Sequence, residues 1–502
     1  MTFATYKQKY GRLTAAILTA AVLLGMMLMK TRRLAGYNPV QKTAMLVELA
    51  IWGVMLIGLC AVILCHKIKR HQLFILMAAA IGLCYAFAIT PMSAPDETAH
   101  YKNAVAIASG LTGGQVDANY LSLEGLTPHE NTGEALHTYL TGLAGETLTG
   151  DKTDCPWVCQ SYPVMYLPQV LATLLAFALH LNRMWIYLLG DLLNLALYIT
   201  LTAMAIRIIP RGKTPLMLAA VTPMAMQQAS SLSGDGFVIG MSFLLIALAV
   251  RAMERQGKAG RGELAAIMAV SVLMAPAKAV YFLLLLLLVL IPKERFGSNG
   301  RKWLFIAATA ALAAAVTVAV QLSWLTKQVS DSAAGTTPYY SMGWVLSHPV
   351  QTVMLVINTL VPRGAFWYID SAVGRELSGL SLQIFPGYVY FMLFLVLLSA
   401  VTSKGETPLK PVRRWSFLTI AALVVLATMG TMLIAWTPMG AAAIDGVQGR
   451  YFIPLLPLVF IAMENSCFAA QKDYYRFYGI GMLALQLVTL NEIMAIMIQN
   501  AV

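Results

Sequence analysis

Two adjacent carboxylates, Asp96 and Glu97, with His100 three residues on, stand in Pro91-Met-Ser-Ala-Pro-Asp-Glu-Thr-Ala-His100, directly after an apolar run long enough to cross a bilayer. Ionisable groups are costly at a membrane boundary, so their presence there points to function. Three more charges sit at the ends of apolar runs. Asp235 lies between two glycines in Ser230-Ser-Leu-Ser-Gly-Asp-Gly236. Lys278 closely follows Pro276, and Arg450 stands in Asp445-Gly-Val-Gln-Gly-Arg-Tyr451. A carboxylate beside an acceptor hydroxyl is a general base, and cations beside a departing phosphate stabilise the charge it takes away.

Each residue also has a plainer reading. Ser93 to Asp96 fits a capping box opening a short helix over 98–109, which would make Asp96 a helix cap. Gly-Asp-Gly suits an ordinary Asx turn, although Asp235 could share a divalent cation, Mg or Mn, with Asp96 or Glu97, because hard cations take oxygen ligands. A basic residue at a helix end can snorkel. Lys278 and Arg450 nevertheless stand on the face that basic residues avoid, and that displacement asks for an anionic partner such as a lipid phosphate.

Other polar groups carry less. His129, Glu130, Glu134 and His137 have helical spacing but the wrong order for a zincin, and exposed loop polarity explains them better. Arg363, Asp370, Arg375 and Glu376 lie among Phe366, Trp367 and Tyr368, an interfacial aromatic belt that could also stack on an acceptor sugar. Cys155 and Cys159 flank Pro156 and Trp157 in a polar loop, where an oxidising compartment favours a local disulfide.

The elements that position these residues must be membrane helices. The 502 residues are 59 % hydrophobic and 12 % charged, with mean hydropathy +0.70, far from the composition of a soluble domain. Apolar runs predict an all-α polytopic protein of about thirteen spans, at 13–29, 43–65, 72–90, 184–206, 214–231, 236–253, 263–275, 277–291, 303–325, 384–401, 415–437, 451–468 and 477–498. The run Val164–Leu181 is read as interfacial or re-entrant. Only then do the basic loops 207–213 and 251–261 return to the cytoplasmic side with the N-terminus. Pro276 predicts a tight hairpin with Lys278 at its outer tip, a single kinked helix being the alternative. The long polar stretches 91–163 and 326–383 then share the outer face. The net charge of +12 is spread over short loops rather than gathered in a patch, which argues against nucleic acid as a partner.

These pieces occur together elsewhere. The chain resembles a family of bacterial multi-span proteins of unknown function. Its marks are Pro95-Asp96-Glu97-Thr98-Ala99-His100, Tyr162-Pro163-Val164-Met165-Tyr166, the turn Ser230 to Asp235, a lysine hairpin at Lys278, and Gln448-Gly449-Arg450-Tyr451. That family is similar in plan to the C-type (GT-C) glycosyltransferases, which transfer sugars from polyprenyl-phosphate carriers at the outer face of the cell membrane. The resemblance implies a GT-C-like core over 72–325 after an N-terminal helix pair (1–71), with a C-terminal membrane region over 326–502. It implies Asp96 as general base, Glu97 and Asp235 orienting it or holding a metal, and Lys278 and Arg450 on the donor phosphate. His100, Gln448 and Tyr451 are the accompanying substrate contacts, and the acceptor is an envelope glycan or glycolipid. Two rivals stand beside this expectation. One is a transporter or flippase of a lipid-linked saccharide; the other is a non-catalytic partner in envelope assembly.

Overall fold

The computed structural model describes residues 39–123, 142–332, 339–403, 409–464, 467–470 and 473–499. The expected span at 13–29 and the His129 to His137 group lie outside the described residues. The described chain is nearly all helix. Two short antiparallel strand pairs are the exception: Gln115–Asp117 with Lys152–Asp154, and Glu376–Leu377 with Leu382–Gln383.

Six helices among the described residues are long and apolar enough to cross a membrane. They are Arg70–Ala88, Arg183–Ile208, Asp235–Glu254, Asn299–Val320, Pro411–Ala435 and Tyr475–Ile496, with a seventh if the bent pair Pro349–Val361 and Phe366–Val373 is one span. The thirteen expected exceed that number because the others fall on short or broken elements. Ala50–Cys65, Ala279–Leu290, Pro386–Thr402 and Gly449–Met463 are short apolar helices, and the run at 214–231 is split into Lys213–Ala219 and Pro223–Ala229. Pro223 lacks the N–H that would continue the first helix. The carbonyls freed at that break are taken up by side chains: Tyr198 donates its hydroxyl to Ala220 O at 2.8 Å, and the Gln486 amide donates to Val221 O. A broken helix is tolerated in an apolar interior only when its backbone groups are satisfied in this way.

The centre of the bundle is Asp235–Glu254, which is buried almost throughout, whereas Asn299–Val320 lies at the periphery and is largely uncovered. Small residues make this enclosure possible. At Gly240 a Cβ would come within 2.9 Å of Leu201 Cβ, so the neighbouring Arg183–Ile208 helix approaches closer than a side chain permits.

Pro276 ends Arg261–Met274, and the chain returns as a hairpin. Lys278 at the tip touches Asp235, while at the far end Ala259 N–H donates to Arg295 O (2.8 Å) and the Arg295 guanidinium meets Glu263 (2.7 Å). The returning arm, Ala279–Leu290, is a twelve-residue 3₁₀ helix. With about three residues per turn, Tyr281, Leu284 and Leu287 stack on one buried edge.

The run Val164–Leu181 forms a 3₁₀ turn, Pro163–Tyr166, and a helix, Leu167–Ala178. Both its ends rest on the 91–163 stretch: Tyr166 on His100, and Ala176 and Leu181 on the Tyr120 hydroxyl through their carbonyls. It therefore does not carry the chain to the other end of the bundle. Its exposed leucines, Leu167, Leu171, Leu175 and Leu179, form one apolar stripe at helical spacing. In the 91–163 stretch Cys155 and Cys159 are separate free thiols, against the expected disulfide; Cys159 Sγ donates instead to Ser161 O.

Charge collects at the two ends. Opposite the Asp235 end, buried Arg211 joins Glu254, at the end of the central helix, to Glu464 (3.0 Å for the second pair), and Arg70 bonds Thr214 and Asp473. Arg211→Met leaves two carboxylates unpaired, so it should cost about 3 kcal/mol of unfolding free energy in mild detergent; a loss below ~1 kcal/mol, as for exposed pairs, would show that this end is not braced by the triad. Reporter fusions in the loops at 210 and 257 should give the same side of the membrane, and a fusion at 113 the opposite one.

Candidate functional site

Asp235 opens the central helix, and the turn before it is held by side chains from three segments. Asn194 Nδ2 shares its two protons among the carbonyls of Gln228 (3.2 Å), Ser231 (2.8 Å) and Ser233 (3.0 Å). Gln169 Nε2 donates to Leu232 O (3.1 Å), and Leu232 N–H donates to Glu97 Oε1 (3.1 Å). These are buried bonds to backbone groups, and leaving such a group unpaired costs ~1–3 kcal/mol.

Glu97 and Asp96 point in different directions. Glu97 is buried, and its second oxygen accepts from Ala94 N–H at 3.0 Å. It thereby ties the entry of the helix Glu97–Leu111 to the turn that carries Asp235. It does not line the cavity described below. Asp96 precedes that helix with φ +62° and makes no side-chain cap bond, and Ser93 bonds back to Thr90 O; the expected capping box is absent. The left-handed backbone, sparsely populated by residues with a Cβ, turns the Asp96 carboxylate outward, and 61 % of its side chain is exposed.

Arg450 reaches it from the far part of the sequence. The guanidinium, 2 % exposed, bonds Asp96 Oδ2 at 2.8 Å and lies 3.8 Å from Asp235 Oδ2. Lys278 Nζ sits 2.5 Å from the other Asp235 oxygen and 4.7 Å from the centre of the Tyr451 ring. Arg450 also donates to the Tyr451 hydroxyl (3.2 Å), and Tyr281 donates to the Tyr451 carbonyl (2.7 Å). Gly449 explains the form of the motif. A Cβ there would lie 2.3 Å from Tyr368 O and 2.4 Å from Ala372 N, so only glycine lets this turn seat against the helix Ala365–Val373. Gln448 contributes its carbonyl, which accepts from Tyr451 N–H, and does not line the cavity.

Asp96, His100, Asp235, Lys278 and Tyr451 line one cavity of about 390 Å³, a size typical of small-ligand sites. Its remaining walls include apolar Val280, Val320 and Met432. The orientation of His100 follows from a chain of bonds. Gln160 N–H donates to Asn103 Oδ1 (3.0 Å), so Asn103 Nδ2 is the donor to the Tyr166 hydroxyl (3.1 Å). The same Tyr166 hydroxyl pairs with His100 Nδ1 at 2.8 Å and fixes the imidazole ring at the cavity wall.

The family model described as Predicted membrane protein (DUF2142) matches residues 80–459. The chain belongs to that family. The DUF2142 match contains every residue of the cavity and of the Arg450 cluster, whereas the terminal helix Tyr475–Gln499 lies beyond it. No curated protein and no solved structure matches the chain.

The residues do not fit a metal shared by Asp235 with Asp96 or Glu97. Asp235 faces two side-chain cations, the group between it and Asp96 is a guanidinium, and Glu97 is turned away. No group of three His, Cys, Asp or Glu residues among the described residues could hold an ion. The second polar stretch also stays apart from the cavity: Trp367 bonds Glu376 (3.3 Å), buried Tyr368 bonds Thr359 O, and the Arg363 side chain lies outside the described residues. Sequence patterning does not select Asn103, Tyr281 or Asn194. Asp191 and Asn194, polar residues a turn apart in an apolar helix, mark that helix face without indicating their partners.

Burial pushes the Glu97 carboxyl up to about 7 against the pull of its backbone N–H bonds, and burial pulls the His100 imidazole down to about 4 against Asp235 and Asp96. Their signs oppose. The raised Glu97 stabilises the fold below its ordinary 4.5 and loses that contribution as pH rises through about 7; the depressed His100 contributes above its ordinary 6.5 and loses that as pH falls toward 4. Above 6.5 only the Glu97 decline remains. The thermal midpoint should therefore fall as pH rises from 6.5 through about 7, and Glu97→Gln should flatten that fall; an unchanged profile in the variant would remove Glu97 as its source.

Proposed function

We propose that this protein is a membrane glycosyltransferase that moves a sugar from a polyprenyl-phosphate carrier to an envelope glycan or glycolipid at the extracytoplasmic face. The observation that carries the reading is the cavity itself: an exposed carboxylate and an accessible ammonium at its polar end, and apolar walls from three bundle elements. Such a shape suits a phosphate headgroup with an isoprenoid tail. The basic loops around Arg207 to Lys213 and Arg251 to Arg261 lie at the opposite end of the bundle, which supports an outward-facing site.

In this reading Asp96 accepts the proton of the acceptor hydroxyl as its oxygen attacks the anomeric carbon. The bond from that carbon to the phosphate oxygen breaks, and the lipid phosphate departs with the electron pair. Lys278, 29 % exposed, turns from Asp235 to the leaving phosphate. Arg450 fixes the base, since a planar fork can serve Asp96 and Asp235 together as a lysine cannot. The two side-chain cations supply the positive charge that a divalent ion supplies elsewhere.

A second reading, a flippase of the same lipid-linked sugar, is favoured by one observation: the broken helix Lys213–Ala229, buried from Thr214 onward, a form used at transporter sites. Purified protein given a labelled polyprenyl-phosphate sugar distinguishes them. Asp96→Asn should reduce turnover ~10²–10⁴-fold with folding intact, and Lys278→Gln should raise KM for the donor. Full turnover in Asp96→Asn overturns the base assignment. Translocation in vesicles without turnover supports the flippase, and neither activity supports a scaffold.

A further inference from the structure

We infer that a separate pocket behind Glu97 holds one small monovalent cation of the sodium class. The pocket, about 10 Å³, is enclosed by Thr90, Glu97, Asp191, Gln227, Ser230 and Ser231 among others, and no lysine or arginine lines it. That volume admits a single water-sized sphere. Three oxygens of its lining residues, Thr90 Oγ1, Asp191 Oδ1 and Gln227 Oε1, are buried without a hydrogen-bond partner, and the residues that bear them are only 5 %, 6 % and 2 % exposed.

Unmatched oxygens around a closed space need an occupant. Glu97 has committed both oxygens to the N–H groups of Ala94 and Leu232, and Asp191 Oδ1 accepts no hydrogen bond. A buried carboxylate is retained only when paired, neutralised or bound to a cation. The unpartnered oxygens are those of the Asp191 carboxyl, the Gln227 amide and the Thr90 hydroxyl; the Gln227 amide nitrogen is also unpartnered, so the amide is free to turn its oxygen to the ion. The Ser230 hydroxyl donates to Met226 O and keeps its lone pairs. Oxygen donors without thiol or imidazole suit a hard cation, and a one-sphere space leaves no room for the waters that magnesium retains.

The position gives such an ion a consequence. Thr90 and Glu97 bracket the segment that bears Asp96, while Ser230 and Ser231 begin the turn that bears Asp235. A bound cation would brace both acids from behind, whether or not the cavity in front of them transfers a sugar.

The test is thermal stability of the full-length protein in detergent at fixed ionic strength, in sodium, potassium, calcium or choline chloride, together with equilibrium binding of radioactive sodium. A saturable, sodium-specific rise in the midpoint with one ion bound per chain is expected. Asp191→Asn should abolish both while keeping the choline midpoint at or above that of the parent; Thr90→Val serves as a second variant should that one not fold. Equal midpoints in sodium and choline for the parent would overturn the inference and leave only water and a proton in the pocket. A rise preserved in both variants would mark a surface salt effect, and a response to calcium alone would contradict the sodium class.

Discussion

A guanidinium with 2 % of its side chain exposed, set between two carboxylates, is the constraint on which the site depends. Arg450 is 354 residues from Asp96 in sequence and bonds it directly. Taking that charge out of water is tolerable only because Asp96, Asp235 and Tyr451 are all waiting for it. The closeness of Gly449 to the Ala365–Val373 backbone, the amide brackets around the turn at 230–235 and the hairpin tip at Lys278 all serve to bring those partners within reach. The proposed boundary at residue 325 does not separate the chemistry, since the cavity takes walls from both sides of it.

Neighbours in sequence do opposite work here. Asp96 and Glu97 differ by one methylene and one position, yet one is exposed to the cavity and the other is sealed behind it. The left-handed backbone at Asp96 makes this divergence possible, and a second non-glycine residue with positive φ, Met92, precedes it in the same loop. Strained backbone persists where the surroundings over-determine it. In this loop Glu97 is the fastener: its two backbone bonds join the start of one helix to the turn before another.

Much of this was legible in the sequence. Composition gave the membrane class, and proline gave the hairpin at Pro276. Four charges at the ends of apolar runs put Asp96, Asp235, Lys278 and Arg450 on one face, but did not give the pairing of the two cations with the two carboxylates. What could not be read was direction. A capping-box pattern at Ser93 to Asp96 says nothing about Ser93 bonding backward to Thr90, and an acidic pair does not reveal that its members face apart. Span counts failed for a related reason. Hydropathy measures apolar length, whereas proline decides whether that length is one helix, two, or a 3₁₀ stretch. The amide brackets of Asn194 and Gln169 are tertiary, and no local pattern announces them.

The 3₁₀ arm Ala279–Leu290 also acts as a ruler. Twelve residues at about 2.0 Å each reach ~24 Å, where the same residues wound as an α-helix at about 1.5 Å would reach only ~18 Å. Lys278 is mounted on the upper end of that rod, and Arg295 pins the lower end to Glu263 and the Gly257 carbonyl. The tighter winding is thus worth some 6 Å of height, the difference between an ammonium that meets Asp235 and one that stops a full helical turn short of it.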